Sequence, residues 1–128
     1  MVDDIVPHSD LITSVLEDDG DKVIMLLEPY MMNHCNYVGY KDYPIRFAMR
    51  SAIWHEKYEV FKAILCARRN CNHEHYIQGV DFSCCVYHEK KFKKEGRTVM
   101  LEKLLKLKQR FCDDLNMSPS HDPTIDEK

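Results

Sequence analysis

Apolar residues recur along the chain at the spacing of one helix face in six separate segments. In the first, Ser9 is a suitable N-cap for a short helix over residues 10–17, whose apolar positions are Leu11, Ile12, Val15 and Leu16. The same kind of spacing predicts five more helices, over residues 21–28, 44–55, 58–67, 80–94 and 98–111. Gly20 and Gly96 separate neighbouring helices, and Pro29 is expected to end or kink the second helix. The pattern therefore predicts an all-α fold.

The six predicted helices fall into three pairs with a common apolar pattern. The second helix of each pair ends in a run rich in Leu, Ile and Val: VIMLL at 23–27, VFKAIL at 60–65 and VMLEKLL at 99–105. These runs recur about every 38 residues. A period in the thirties with two helices per unit is typical of a helical solenoid, in which stacking of the units supplies the core. We therefore expect a short solenoid of about three helix-turn-helix repeats with finger loops between them.

Residues 42–65 carry a family resemblance as well. The stretch DYPIRFAMRSA at 42–52, followed by YEVFKAIL at 58–65, resembles a divergent ankyrin repeat. Its matches to the family's Thr-Pro-Leu-His-x-Ala and Val-Val-x-x-Leu-Leu stretches are Pro44, Ile45 and Ala48, then Val60, Phe61, Ile64 and Leu65. Tyr43 and Arg46 stand where the family has Thr and His, and IWHEKY at 53–58 replaces its Gly-His turn. Over residues 9–108 the resemblance holds in outline.

The ankyrin resemblance implies a protein–protein interaction module, an adaptor or an inhibitor, that binds its partner through finger loops and a concave inner-helix face. Such short arrays occur in cellular regulatory complexes and in viruses as inhibitors of host signalling. The resemblance places fingers at 37–43 and 72–78, and helical spacing puts Arg46 and Arg50 on one side. Trp54, at the helix turn, is expected to pack rather than to contact a partner. The implied contact residues are Tyr40, Lys41, Tyr43, Arg46, Arg50, His75 and Tyr76.

The formal net charge of −3 conceals opposing blocks along the chain. Residues 1–40 hold eight acids and one base, whereas residues 89–111 hold nine bases and three acids. A basic patch for an anionic partner is therefore a candidate feature, formed by Lys90, Lys91, Lys93, Lys94 and Arg97. A basic-patch nucleic-acid binder stays open as an alternative function. Nucleic acid is not the expected partner, because no aromatic platform or groove-entering helix is recognisable.

Cysteine and histidine cluster in the second half of the chain, which raises the question of zinc. The residues concerned are Cys66, Cys71, His73, His75, Cys84, Cys85 and His88. Zinc sites favour paired, closely spaced ligands such as C-x2-C, and neither group has that spacing. A small zinc-binding helical domain is thus a second alternative, while we expect no metal and no other cofactor. Cys84 and His88 lie one helical turn apart, but no glycine turn offers an oxyanion site, so an enzyme is not expected.

The chain is expected to comprise a lead-in at residues 1–8, the repeat domain at 9–111 and an acidic, disordered tail at 112–128. Its apolar runs are too short to span a membrane, and the first residues do not resemble a secretion signal. We therefore expect reduced thiols and an intracellular protein, cytoplasmic or nuclear. The composition is compatible with self-association.

Overall fold

The computed structural model describes residues 8–31, 43–67, 76–77 and 80–116. Within these ranges the chain forms six helices: α1 His8–Leu16, α2 Gly20–Met31, α3 Tyr43–His55, α4 Tyr58–Leu65, α5 Ser83–Glu95 and α6 Thr98–Asp114. Two strands of two residues each, β1 (Tyr76–Ile77) and β2 (Val80–Asp81), pair antiparallel between α4 and α5. The predicted all-α class is confirmed. Every helix in the described ranges is too short or too polar to cross a membrane.

Two predicted helix boundaries are wrong, the start of the fifth helix and the end of the second. Val80 pairs with Ile77 in the small β ladder, so the fifth helix begins at Ser83 rather than at residue 80. The same pairing places Tyr76 in strand β1, within the segment 72–78 that was predicted as the second finger. Helix α2 runs through Pro29 to Met31, so the predicted end at residue 28 is wrong, while the predicted kink is the alternative that stays a prediction. Proline removes only its own backbone donor, and here it does so two residues before the helix ends.

Helices contact each other both within and between the three pairs. Each pair packs internally, α1 on α2, α3 on α4 and α5 on α6. Corresponding helices of successive pairs also pack, α1 on α3 and α3 on α5 for the first helices, α2 on α4 and α4 on α6 for the second. Helix α3 additionally contacts α2 and α6, which makes it the central element. The large, fully buried apolar side chains are Leu11, Leu27, Ile45, Met49, Ile53, Phe61, Leu65, Phe82, Phe92, Leu104 and Phe111.

The turn between α1 and α2 is fitted closely to the start of α4. Asp18 adopts a positive φ of 56°, and its Oδ1 accepts a hydrogen bond of 3.1 Å from the backbone N–H of Val60. Gly20 follows, and a Cβ at this position would lie 2.8 Å from the carbonyl oxygen of Glu59 and 3.0 Å from the Cβ of Ala63. Glycine is therefore required for the close approach of the two helices. The first pair thus supplies a cap for a helix of the second pair.

The end of α6 belongs to the core, which corrects the predicted start of the tail at residue 112. Cys112 is buried, and α6 continues to Asp114. The hydroxyl of Tyr58 donates a hydrogen bond to Asp114, and the guanidinium of Arg110 lies 3.8 Å from the centre of the Tyr58 ring. Burial, together with this bond to a carboxylate, raises the pKa of the Tyr58 hydroxyl. Helix α6 is therefore anchored on the start of α4 through its last turn.

Three phenylalanines join α4, α6 and the residue before α5. The ring of Phe111 meets the edges of Phe61 and Phe82 at centroid distances of 6.3 and 6.0 Å, with interplanar angles of 82° and 86°. All three side chains are buried. Such edge-to-face pairs add about 0.5–1.5 kcal/mol each beyond the burial of their area.

A buried ion pair links α5 to α6. The ammonium of Lys108 lies 3.5 Å from Oε1 of Glu89, with side chains only 2% and 5% exposed. The second carboxylate oxygen of Glu89 lies 3.5 Å from the ammonium of Lys93, which is 51% exposed. Glu89 is therefore held between a buried cation and a surface cation, a role that the sequence pattern did not indicate.

Candidate partner-binding surface

The two arginines predicted to line the binding face lie side by side against α5. Arg46 donates a hydrogen bond of 3.2 Å from Nη1 to the hydroxyl of Tyr87, and its guanidinium carbon lies 5.6 Å from the centre of that ring. The guanidinium carbon of Arg50 lies 5.8 Å from the centre of the buried Phe92 ring. Both arginines are half-buried. They share a side of α3 as predicted, although this side meets α5 rather than projecting freely.

A groove of about 400 Å³ lies between α3 and the start of α6. It is lined by residues on one side of α3, together with two from the α5–α6 junction: Phe47, Arg50, Ser51, Trp54, His55, Arg97 and Met100. Positions 47, 50, 51, 54 and 55 follow the i, i+3, i+4, i+7, i+8 spacing of a single helix face. That face lies opposite the buried stripe of Ile45, Ala48 and Ala52. Most of the groove was not predicted as a site.

Trp54 is the largest exposed group at this groove. Its side chain is 51% exposed, which contradicts the expectation that it packs into the fold. The ammonium of Lys103 lies 4.9 Å from the ring centre, and it donates to the Trp54 carbonyl and to Oε2 of Glu56, both at 3.0 Å. The hydrogen bond from Lys103 and its charge lower the pKa of the Glu56 carboxyl. Lys103 therefore contacts the Trp54 indole from one side, and about half of the tryptophan stays exposed to solvent.

The groove lining carries cationic groups and no carboxylate. Arg97 is paired with Glu95 through a contact of 2.7 Å between Nε and Oε1. Arg50 has no carboxylate partner among the residues that the structure describes, and its guanidinium lies against the Phe92 ring. The guanidinium of Arg50 is therefore the group in the groove that is ready to bind an anion.

The predicted basic patch on α5 is partly neutralised by acids on the same helix. Lys91 pairs with Glu95 at 3.1 Å, and Arg97 shares that carboxylate. The carboxyl of Glu95 consequently has its pKa lowered, first by the hydrogen bonds from Arg97 and Lys91. Lys93 pairs with Glu89 at 3.5 Å. The two remaining members, Lys90 and Lys94, are exposed and make no ion pair within the described ranges.

The predicted neighbours Cys84 and His88 do meet, but inside the core. Nδ1 of His88 lies 3.0 Å from the carbonyl oxygen of Cys84 and 3.6 Å from its Sγ. Because a carbonyl oxygen only accepts, Nδ1 carries the proton and donates it. His88 is 1% exposed, and burial, aided by the charges of Arg50 and Arg46, lowers its pKa to about 4. The imidazole is therefore neutral and buried, which indicates that His88 is a packing residue.

Acidification is expected to destabilise the fold through His88. Its pKa is about 4 in the folded protein, whereas the unfolded chain has the ordinary value near 6.5. The unfolded state therefore binds the proton first, so stability is complete above about pH 6.5 and falls as the pH drops towards 4. We expect a loss of about 2 kcal/mol between pH 7.5 and pH 5, measured by urea denaturation. His88→Gln should remove this part of the pH dependence, and His55→Gln, at an exposed histidine, should preserve it. An unchanged slope in His88→Gln would contradict the assignment.

No group of three or more His, Cys, Asp or Glu side chains in the described ranges is arranged to hold a metal ion. Cys71, His73 and His75, three of the residues considered for zinc, lie outside those ranges. The zinc alternative therefore gains no support from Cys66, Cys84, Cys85 or His88.

A second concavity, of about 610 Å³, lies between the start of α2 and the outer side of α4. Two of its four acids, Asp18 and Asp19, accept hydrogen bonds from helix N-termini. Asp18 accepts from Val60, and Oδ1 of Asp19 accepts from the backbone N–H of Lys22 in the first turn of α2 at 3.2 Å. These carboxylates cap helices, so this concavity is explained by the fold alone.

The other predicted contact residues are distributed differently. Tyr40, Lys41 and His75 lie outside the described residues. Tyr43 is the first residue of α3 rather than part of a finger, and Tyr76 lies in β1. Of the predicted set, the described surface therefore brings together only Arg46 and Arg50.

Comparisons with known proteins identify no relative of this chain. No protein-family model matches it, and neither does any curated protein or any solved structure.

Proposed function

We propose that this chain is a protein–protein interaction module, an adaptor or inhibitor built as a short array of ankyrin-like helix pairs. Support for the array comes from the contacts between corresponding helices of successive pairs. Support for the family comes from the residues of the second pair that resemble an ankyrin repeat. An intracellular location, cytoplasmic or nuclear, belongs to the same proposal.

The observation that carries the proposal is the half-exposed Trp54 in the groove beside α3. A tryptophan that is 51% exposed leaves a large apolar surface in water, and Trp and Arg are the residue types that most often dominate binding energy. Arg50 lines the same groove. These observations favour the exposed side of α3 as the binding surface over the basic patch, where acids already pair with three of the five cations.

Affinity capture with the immobilised full chain tests this proposal. From an extract of the source organism, we expect the wild-type protein to retain a specific partner. Retention by Trp54→Ala should be at least about 30-fold lower, which is the effect of losing a hot-spot residue. Met25→Ala is the matched control, because Met25 is an even more exposed apolar residue, at 61%, on α2. Retention that is equal for wild type and Trp54→Ala, as quantified by mass spectrometry, would refute the assignment of the α3 side.

A further inference from the structure

The groove beside α3 combines apolar side chains with the guanidinium of Arg50, which has no carboxylate partner in the described part of the chain. Phe47, Trp54 and Met100 supply apolar surface, and Arg50 and Arg97 supply charge. A groove lined by these groups attracts a ligand that carries apolar and anionic groups close together. The absence of any carboxylate from its lining means that nothing in the groove itself repels an anion.

We propose that the groove binds a short acidic segment of the partner protein, in which a bulky apolar side chain lies within a few residues of an Asp or Glu. The apolar side chain packs on Trp54 and Phe47, and the carboxylate pairs with Arg50. This inference rests on the proposed function, because it names the chemistry of the partner at the same surface.

The size of the groove fits one or two side chains. Its volume of about 400 Å³ is at the lower end of the range for small-ligand sites, about 300–1,000 Å³. A peptide segment can insert a single aromatic or long aliphatic side chain into such a space. The indole edge left open by Lys103 offers a rigid wall for that residue.

Arg50 is prepared to receive the carboxylate. Its guanidinium lies against the buried Phe92 ring, which limits its freedom before a ligand arrives. A planar guanidinium with five donors binds a carboxylate through two parallel hydrogen bonds. Arg97 is already bound to Glu95, which largely neutralises its charge, so it does not offer a second binding fork. One carboxylate close to the apolar anchor is therefore the expected requirement.

A second copy of this chain and a nucleic acid are the competing occupants. Nucleic acid is disfavoured because binding to a phosphate backbone needs several cations, whereas in the groove lining only Arg50 is not paired with a carboxylate of the described residues. A second copy would show itself as a dimer, which the test below detects.

Selection from a phage-displayed library of random 12-residue peptides against the full chain tests the proposal. We expect enriched peptides to share an aromatic, Leu, Ile or Met residue with an Asp or Glu within about four positions. In fluorescence polarisation, Trp54→Ala should weaken an enriched peptide at least about 30-fold and Arg50→Gln at least about 10-fold. Met25→Ala should stay within about two-fold of wild type, and far-ultraviolet circular dichroism and melting should be the same for all variants.

A paired change in the peptide isolates the proposed ion pair. Replacing the acidic residue of the peptide by its amide should cost about 10-fold against wild type and little against Arg50→Gln, since the two changes remove one contact. A peptide whose affinity falls on loss of Trp54 but not on loss of Arg50, or an enriched set without acidic residues, overturns the acidic segment and leaves the proposed function standing.

Two further outcomes would refute the inference that the groove binds an acidic segment. Failure to enrich any peptide that depends on Trp54 overturns the inference, and if affinity capture is equally insensitive to Trp54, the proposed function fails with it. If sedimentation velocity finds a dimer that Trp54→Ala converts to a monomer, a second copy occupies the groove and the peptide inference is refuted.

Discussion

Replacing Phe111 with Ala is expected to lower the free energy of unfolding by about 3–5 kcal/mol, a large part of the stability of a domain of this size. The ring is fully buried, and it makes edge-to-face contacts with Phe61 and Phe82. Truncation to Ala leaves a cavity at the meeting point of α4, α6 and the residue before α5. It therefore weakens contacts of two helix pairs at once.

Urea denaturation followed by circular dichroism measures this loss. Leu115→Ala is the matched control at the end of α6, since Leu115 is 40% exposed and should cost less than about 1 kcal/mol. Phe111→Leu should lie between the two, because it fills part of the cavity. If Phe111→Ala were no more harmful than Leu115→Ala, the Phe111 ring would not be part of the core that joins α4, α6 and Phe82.

Removing the carboxylate of Glu89 is the second change with a large expected effect. In Glu89→Leu the ammonium of Lys108, which is 2% exposed, loses the carboxylate that lies 3.5 Å away. A buried cation without its acid partner costs about 3–5 kcal/mol. The double variant Glu89→Leu with Lys108→Met should recover most of this loss, because an apolar pair of similar volume avoids desolvation of both charges.

Glu95→Leu is the matched control on the same helix. Glu95 is also paired with two cations, but its side chain is 34% exposed, and surface pairs contribute about 0–1 kcal/mol. Equilibrium unfolding of the three variants compares the effects directly. Equal losses for the two single variants, or a double variant no better than Glu89→Leu, would mean that the Lys108 contact is not what makes Glu89 important.

Helix positions were predictable because they depend on local spacing. The stripes at Leu11 and Val15, or at Phe61 and Ile64, are buried as their period indicated. The errors came from pairing over longer distances. Nothing in the sequence near Val80 distinguishes a helix start from a strand, since its strand exists only through its pairing with Ile77.

The end of the domain was missed for the same kind of reason. Residues 112–114 are polar or acidic apart from the cysteine, and their composition suggested a tail. Asp114 is ordered by a hydroxyl from residue 58, a partner 56 positions away in the chain. Composition alone cannot reveal such a partner.

The candidate surface was predictable only in part. Helical spacing correctly put Arg46 and Arg50 on one side of α3, but it did not reveal that α5 rests on that side through Tyr87 and Phe92. Phe47 and Trp54 were available to the same periodicity argument, because they lie three and four positions from Arg50. Met100 could not have been added from the sequence, since only the packing of α6 on α3 brings it there.

The hydrogen bond from Val60 to Asp18 bears on how the chain unfolds. In an array of independent units, the first pair of helices would be able to detach and leave the others standing. Here, detachment of the first pair would remove the Asp18 carboxylate from the N-terminus of α4. It would also break the close contact between Gly20 and Glu59. The first two pairs are thereby coupled into one cooperative unit, and in a shortened chain that begins at α3 the N-terminus of α4 would lose the carboxylate of Asp18.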